Sequence, residues 1–279
     1  MQQPTHLWRK KIIKVICAIV CAWFLLWVFL VIAFRPSHDR DWEFGQEKLP
    51  SISLDGDVMR IENFRDFDWT DEVTADARYA TRSFALSEMT TTDVFISHFD
   101  EFEGLTHIFL SFGFSDGRHI VVSMETRREK GEEFSPFLGV LRQFEIIYVV
   151  GSERDIVGLR TDIRDERVYL YQTIASPEIS RELFLKIAED INGVFAQPRI
   201  YNTLTDNCTN VLTRRVEDIS DRRFPLTWKT VFPGYFDEVL YDMNLLVTHG
   251  DFSLTKQKSF IENASVDRRN PQFESMLRQ

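Results

Sequence analysis

The stretch THIFLSFGFSDGRHIVVSMET, residues 106–126, decides how this chain folds. Two alternating runs flank Ser115, Asp116, Gly117 and Arg118, a turn signal between paired strands. In the first run Ile108, Leu110, Phe112 and Phe114 alternate with His107, Phe109, Ser111 and Gly113. In the second, Ile120, Val122 and Met124 alternate with His119, Val121, Ser123 and Glu125. Matching the apolar faces requires the numbers of opposed residues to sum to an even number, as a three-residue loop gives. His107 and Glu125 then share the other face as diagonal neighbours. A two-residue Asp-Gly turn would slip the register by one and place them on opposite faces. The hydrophobic pattern selects the first register.

Further along, YNTLTDNCTN at 201–210 carries Cys208, the only cysteine outside the N-terminal apolar segment. Asn207 is a natural helix cap, and Cys208, Val211, Leu212, Arg215, Val216 and Ile219 follow at helical spacing. The thiol is therefore expected in the first turn of a helix, on the face that packs against the domain. Free amides and the dipole at a helix start stabilise a thiolate and lower its pKa. A buried structural cysteine is the plainer reading of the same pattern.

The chain has 279 residues, 44% of them hydrophobic. Residues 15–34 form an uncharged run of 20, long enough to cross the hydrocarbon core of a bilayer. The run is too long for a signal peptide and ends without small cleavage-site residues, so an uncleaved signal anchor is expected. Arg9, Lys10, Lys11 and Lys14 precede it, which keeps the N-terminus in the cytoplasm and exports the rest, to the periplasm in a Gram-negative cell. The exported part holds 28 basic and 43 acidic side chains, a formal −15. That charge argues against nucleic acid and against lying flat on anionic lipid. Cys17 and Cys21 fall within the span, so Cys208 has no disulfide partner in the exported domain. An unpaired thiol in an oxidising compartment is a liability unless it is buried or used.

The remaining chain reads as three parts: 1–35, cytoplasmic N-terminus and anchor; 36–250, the exported domain; and 251–279, a polar C-terminal tail whose last 15 or so residues look loose. Residues 35–50 read as a tether and an entry strand. Strands are expected within 51–69 around an Asp55-Gly56 turn, at 94–96, 145–150, 156–161 and 167–172. Ser176, Pro177 and Glu178 start a helix continued by Leu183, Phe184, Ile187, Ile191 and Val194, and another helix is expected at 235–246. Strands first and helices afterwards, joined by antiparallel hairpins, predict an α+β fold.

A strand histidine at the mouth of a thiol-bearing helix is what a Cys–His pair requires. The imidazole takes the thiol proton, the thiolate attacks an acyl carbon, and a third polar group fixes the ring. His107 fits that place, and a strand histidine satisfying a core hydrogen bond is its alternative. Glu125 is an orienter or a surface carboxylate. His119 shares the Glu125 face and rivals His107 as base or orienter. His6, His38, His98 and His249 are weaker, the first in the cytoplasm, the second by the membrane and the others in polar surroundings. Arg127 and Arg128 suit a phosphate headgroup or merely a charged strand end. No metal or other cofactor is expected, because the histidines are scattered and no cysteine pair lies outside the membrane.

Several blocks in fixed order resemble the bacterial family of the Lnb N-terminal periplasmic domain. They are RPSHDRDW at 35–42, IENFRDF at 61–67, THIFLSFGFSDG from 106, SMETRREKGEEFS at 123–135, YVVGSERD at 148–155, VYLY at 168–171, and YNTL with NCT at 201–209. Asn210 stands where the family pattern has a second threonine after the Cys-Thr pair. The resemblance implies a permuted papain-like fold, related to NlpC/P60 domains, with the histidine strand before the cysteine helix. It implies Cys208 as nucleophile, His107 as base and Glu125 as a possible orienter. The family name belongs to a lipoprotein N-acyltransferase, so a lipid or lipoprotein substrate and a thioester acyl-enzyme are the first functional expectation. Cysteine amidase or peptidase action on peptidoglycan or peptide is the second, and a non-catalytic envelope scaffold the third. An apolar trough beside Cys208 favours the first, an open polar cleft the second, and a thiol with no accessible face the third.

Overall fold

The hairpin closes through a three-residue loop. In a computed structural model that describes residues 5–99 and 101–279, the Phe114 amide donates to the Arg118 carbonyl (2.9 Å) and the Gly117 amide to the Phe114 carbonyl (2.9 Å). Gly117 has φ +85°, the left-handed residue with which such loops end. Residues 1–4 of the expected cytoplasmic N-terminus and Asp100 lie outside the described residues.

Helix α1 (Thr5–Ala33) covers most of the apolar run. Among the described residues it is the one helix long and apolar enough to cross a membrane, and none of its apolar window is buried. The domain continues with β1 (Ser51–Asp55), β2 (Val58–Arg65), the short pair β3 (Asp68–Trp69) and β4 (Ala75–Asp76), and then β5 (Tyr79–Ala85), β6 (Met89–His98), β7 (His107–Phe114) and β8 (His119–Arg127). Helix α2 (Pro136–Val140), strand β9 (Glu145–Gly151), helix α3 (Glu153–Gly158) and strand β10 (Arg167–Gln172) follow. The rest is helical: α4 (Pro177–Ala196), α5 (Cys208–Asp218), α6 (Trp228–Val231), α7 (Phe236–Asp242), α8 (Phe252–Ser259) and α9 (Phe273–Met276). The architecture is α+β.

The main sheet runs β1-β2-β9-β8-β7-β6-β10, with β5 also paired to β2. One face carries Ile108, Leu110, Phe112, Ile120, Val122 and Met124 in the larger core, beneath α4 and α5. The Phe112 and Phe184 rings meet edge-on there, 5.1 Å apart. The other face carries Phe95, Phe109, Val121 and Val149 under α3 and the C-terminal segment. Alternation thus gives the hairpin two buried faces, and its polar residues are enclosed with the second.

The register pairs Gly113 with His119 and Leu110 with Val122. Continued, it would set His107 directly opposite Glu125, rather than diagonally as the sequence suggests. Pairing between β7 and β8 stops at Leu110↔Val122, while β6 follows β7 to His107 and β9 follows β8 to Arg127. The two strands part where His107 and Glu125 begin.

Three stretches differ from their sequence expectation. Residues 156–161 are helical, because Ser152 caps α3 by accepting the Asp155 amide (3.2 Å), and a π-turn (Leu159–Ile163) continues it. The apolar part of this six-residue stretch, Ile156 to Leu159, is too short for its period to separate the two states. Residues 35–50 contain no strand and pack on the domain: Trp42 is buried under the Arg127 guanidinium, 3.9 Å from the ring centroid. The last residues are not loose. Ile261, Val266, Phe273 and Leu277 are buried against the sheet, and Arg278 bridges Asp93 and Glu153 from above.

Gly117→Ala tests the turn. Nothing lies within 4 Å of the position a Cβ would take, so the cost is backbone alone, about 1–2 kcal/mol for a left-handed alanine. Denaturant unfolding should report that loss with the site chemistry unaltered.

Candidate functional site

Cys208 opens α5 as its sequence predicts. Asn207 Oδ1 accepts the Asn210 amide (2.8 Å), and Asn207 Nδ2 donates back to the Thr203 carbonyl (2.7 Å), fixing the approach to the helix. Such a cap is worth about 1 kcal/mol. Val211 and Leu212 anchor α5 in the core, and the half-buried thiol lines a cavity of about 420 Å³. Burial raises the thiol pKa above its ordinary value. The Ile108 amide, the Thr209 hydroxyl and the amides of Thr209 and Cys208 oppose that rise without cancelling it. The helix start thus acts in the expected direction, but desolvation outweighs it.

His107, the first residue of β7, lines the same cavity. Its Nε2 lies 2.6 Å from Ser123 Oγ, and Ser123 donates to Glu125 Oε1 at 2.8 Å. The direct distance from His107 Nε2 to Glu125 Oε1 is 3.8 Å, so all three side chains share one face. Glu125 is held at a pKa of about 2. Burial opposes its ionisation, but Arg160, His107, Arg65 and the Ser123 hydroxyl together prevail. An ionised carboxylate can only accept, so the Ser123 proton points to Glu125 and the Ser123 oxygen accepts from His107 Nε2–H. That assigns the tautomer and leaves the Nδ1 lone pair free. No group hydrogen-bonds Nδ1 among the described residues, and none joins the thiol to the ring. Burial, aided by Arg160 and Arg164 and resisted by Glu125, lowers the His107 pKa to about 3. The resting thiol and imidazole are both neutral.

Arg160 backs this arrangement. Its Nη2 lies 3.5 Å from Glu125 Oε1, its Nη1 donates to the Ile156 carbonyl (3.1 Å), and its guanidinium stacks over Phe109 at 4.9 Å. The π-turn after α3 carries both Arg160 and Arg164 to the cavity. The lining mixes aromatic and charged groups: Phe44, Trp69, Phe99 and Phe134 with Arg128 and Arg164. Tyr201 is also there, its pKa pushed up by burial and then by its neighbour Cys208.

Of the other described histidines, His38, His98, His119 and His249 do not line this cavity. His119 lies at the far end of β8, where its Nδ1 meets Glu274 Oε2 at 3.1 Å under α9. His119, Glu153 and Glu274 offer ligand atoms within 4.8 Å of one another, yet Arg278 already supplies a cation to Glu153 at 2.5 Å. His98 is buried rather than in polar surroundings, and burial lowers its pKa to about 4 against the pull of Glu103. His38 packs by Arg127. Arg127 itself is a buried lock on the preceding segment, donating to the Gln46 and Glu47 carbonyls (both 3.0 Å). Ser123 and Arg160 escaped the sequence reading. Ser123 was visible as a polar residue on the His107–Glu125 face, whereas Arg160 was hidden in a segment read as a strand.

A family model of the Lnb N-terminal periplasmic domain matches residues 75–234. This chain belongs to that family. The matched span contains His107, Ser123, Glu125, Arg160 and Cys208, while the resembling blocks at 35–42 and 61–67 fall before it. No curated protein and no solved structure matches the chain. Membership of the Lnb N-terminal periplasmic domain family and the apolar helix α1 together fit a single-pass membrane protein with a periplasmic domain.

The depressed His107 pKa has a consequence for stability. An unfolded histidine takes its proton near pH 6.5, but the folded one resists until about 3, so the folded state loses stability as pH falls across that window. The Glu125 contribution is present above its ordinary 4.5 and lost as pH falls toward about 2. His107→Asn should therefore flatten the decline between pH 6.5 and 4.5, where Glu125 still contributes fully. Thermal melts at a series of pH values measure it, and parallel curves for the two proteins would contradict the assignment.

Proposed function

We propose that Cys208 is the nucleophile of an acyl-transfer reaction, with His107 as its base and Glu125 orienting that base through Ser123. The observation that carries this reading is the His107–Ser123–Glu125 chain of contacts beside the cavity that Cys208 also lines; with the Nε2 proton directed at Ser123, the Nδ1 lone pair is left to accept the thiol proton. His107 on β7 precedes Cys208 on α5, the order of a permuted papain-like domain. Lys and Arg on the N-terminal side of the apolar run favour an uncleaved inner-membrane anchor with the domain in the periplasm.

The chemistry follows from the neutral resting pair. As the sulfur attacks an ester carbonyl, Nδ1 takes the thiol proton, and the imidazolium that forms is stabilised through Ser123 by the ionised Glu125. The amides of Ile108, Cys208 and Thr209 beside the sulfur favour its thiolate as the proton leaves. The tetrahedral intermediate collapses by expelling an alcohol, which takes the proton back from Nδ1, and the acyl group stays on Cys208 as a thioester. An amine then attacks and yields an amide, with the free thiol restored. A lipid or lipoprotein suits the cavity, whose aromatic and guanidinium walls match an acyl chain and a charged headgroup. Hydrolysis of a peptidoglycan or peptide amide would use the same residues with water as acceptor, and the charged lining is what favours that second reading.

The full-length protein incubated with phosphatidylethanolamine or phosphatidylglycerol vesicles should gain the mass of one fatty acyl chain, and Cys208→Ser should gain none. Turnover in Cys208→Ser and in His107→Ala should fall by several orders of magnitude, with the double variant little worse than either. Ser123→Ala should cost less than either. No adduct, with cleavage of a muropeptide amide, would support hydrolysis instead. No adduct, no cleavage and an unaltered phenotype for Cys208→Ser would leave a scaffold.

A further inference from the structure

The end of the membrane span is built into the domain. Phe34, one residue past α1, lines a small cavity with Arg142, Gln143 and Ile200. The segment after it is locked down: the Ser37 amide donates to Glu145 (2.8 Å), Trp42 lies under Arg127, and the Arg128 amide donates to Gln46 (2.7 Å). A bilayer spanned by α1 would therefore lie next to the Arg142–Ile200 side of the domain.

Large apolar side chains continue outward from that point. Helix α2, just before Arg142, exposes Phe137 (69%) and Leu138 (38%). It sits tightly on the chain leading to Cys208: a Cβ on Gly139 would collide with Thr203 Oγ1. The next turn exposes Leu204 (61%), which shares a cavity of about 150 Å³ with Leu226 and Val231. Leu226 is 95% exposed and Trp228 57%. Folded domains rarely leave so many large apolar groups together in water. Although the exported chain is strongly acidic, Arg222 and Arg223, a few residues before Leu226, bond carbonyl oxygens, with no carboxylate in ion-pair range among the described residues. Exposed Leu, Phe and Trp beside unneutralised arginines are the composition of a surface that enters the lipid headgroup layer.

We propose that the rim formed by α2, Leu204 and residues 226–231 is a membrane-docking surface that seats on the bilayer carrying α1. The occupant is the lipid interface: apolar tips enter the acyl boundary while Arg222 and Arg223 meet lipid phosphates. The segment between Leu204 and Thr209 lies behind this rim, so docking sets Cys208 one loop away from the lipid. The surface is independent of whether Cys208 transfers or hydrolyses an acyl group.

Depth-dependent quenching tests it on the full chain in phosphatidylcholine/phosphatidylglycerol nanodiscs. In a Cys17→Ser, Cys21→Ser, Cys208→Ser background, an NBD probe is placed through Leu226→Cys or Phe137→Cys, and doxyl lipid is the quencher. Leu26→Cys reports the span. Ser115→Cys reports the opposite end of β7, about 27 Å from His107 at strand rise. Quenching at 226 and 137 should exceed that at 115 by about two-fold or more. Equal quenching at 226, 137 and 115, with Leu26→Cys quenched, overturns the proposal and assigns the rim to a protein partner or a second copy. Quenching at one rim site and not the other overturns the rim as a continuous surface.

Discussion

The parity of one hairpin governs the site. The loop at 115–117, ending on left-handed Gly117, fixes opposed residues so that His107, Ser123 and Glu125 fall on one face. A slip of one residue would put Ser123 and Glu125 on the face opposite His107 and turn Val122 and Met124 out of the α4–α5 core. The same register brings the strands to the point where they part. Cys208 packs with the core of one face, His107 belongs to the other, and both line a single cavity at the strand ends.

Holding a carboxylate ionised in that place requires buried positive charge, and the fold supplies it indirectly. Asp155 receives Arg65 Nε (2.8 Å) and Nη2 (3.0 Å), the Phe67 amide (3.0 Å) and the Trp69 indole (2.8 Å). This fully satisfied pair fixes the start of α3 relative to β2. Breaking it would leave a buried charge uncompensated, at roughly 3–5 kcal/mol. From α3 the π-turn delivers Arg160 to Glu125, while Ser97 donates to Glu166 at the next corner of the cavity. Structural ion pairing and site electrostatics are thus one network. The C-terminal segment joins it as well: the Arg268 amide donates to Asp162 (2.8 Å) beside the π-turn.

Much of this was legible in the sequence because it is local. The even register follows from alternation around SDG, the Asn207 cap from its place before an amphipathic run, and the α4 start from Ser176-Pro177. What escaped depends on tertiary pairing. Residues 156–161 read as a strand because a short apolar run does not declare its period, and the Ser152 cap lies outside it. Trp42 and the arginines at 268 and 278 carry no burial signal of their own; each is enclosed only because a distant partner matches it. The thiol pKa was misjudged for the same reason, since the helix start is local and the desolvation is not.

The tautomer of His107 tests the account most directly. Nitrogen-15 NMR of the full chain with labelled histidine, assigned through His107→Asn, distinguishes a protonated ring nitrogen from one bearing a lone pair. The relay through Ser123 predicts a proton on Nε2, a lone pair on Nδ1, and no titration until the pH approaches about 3. A proton on Nδ1, or titration near the ordinary 6.5, would contradict it.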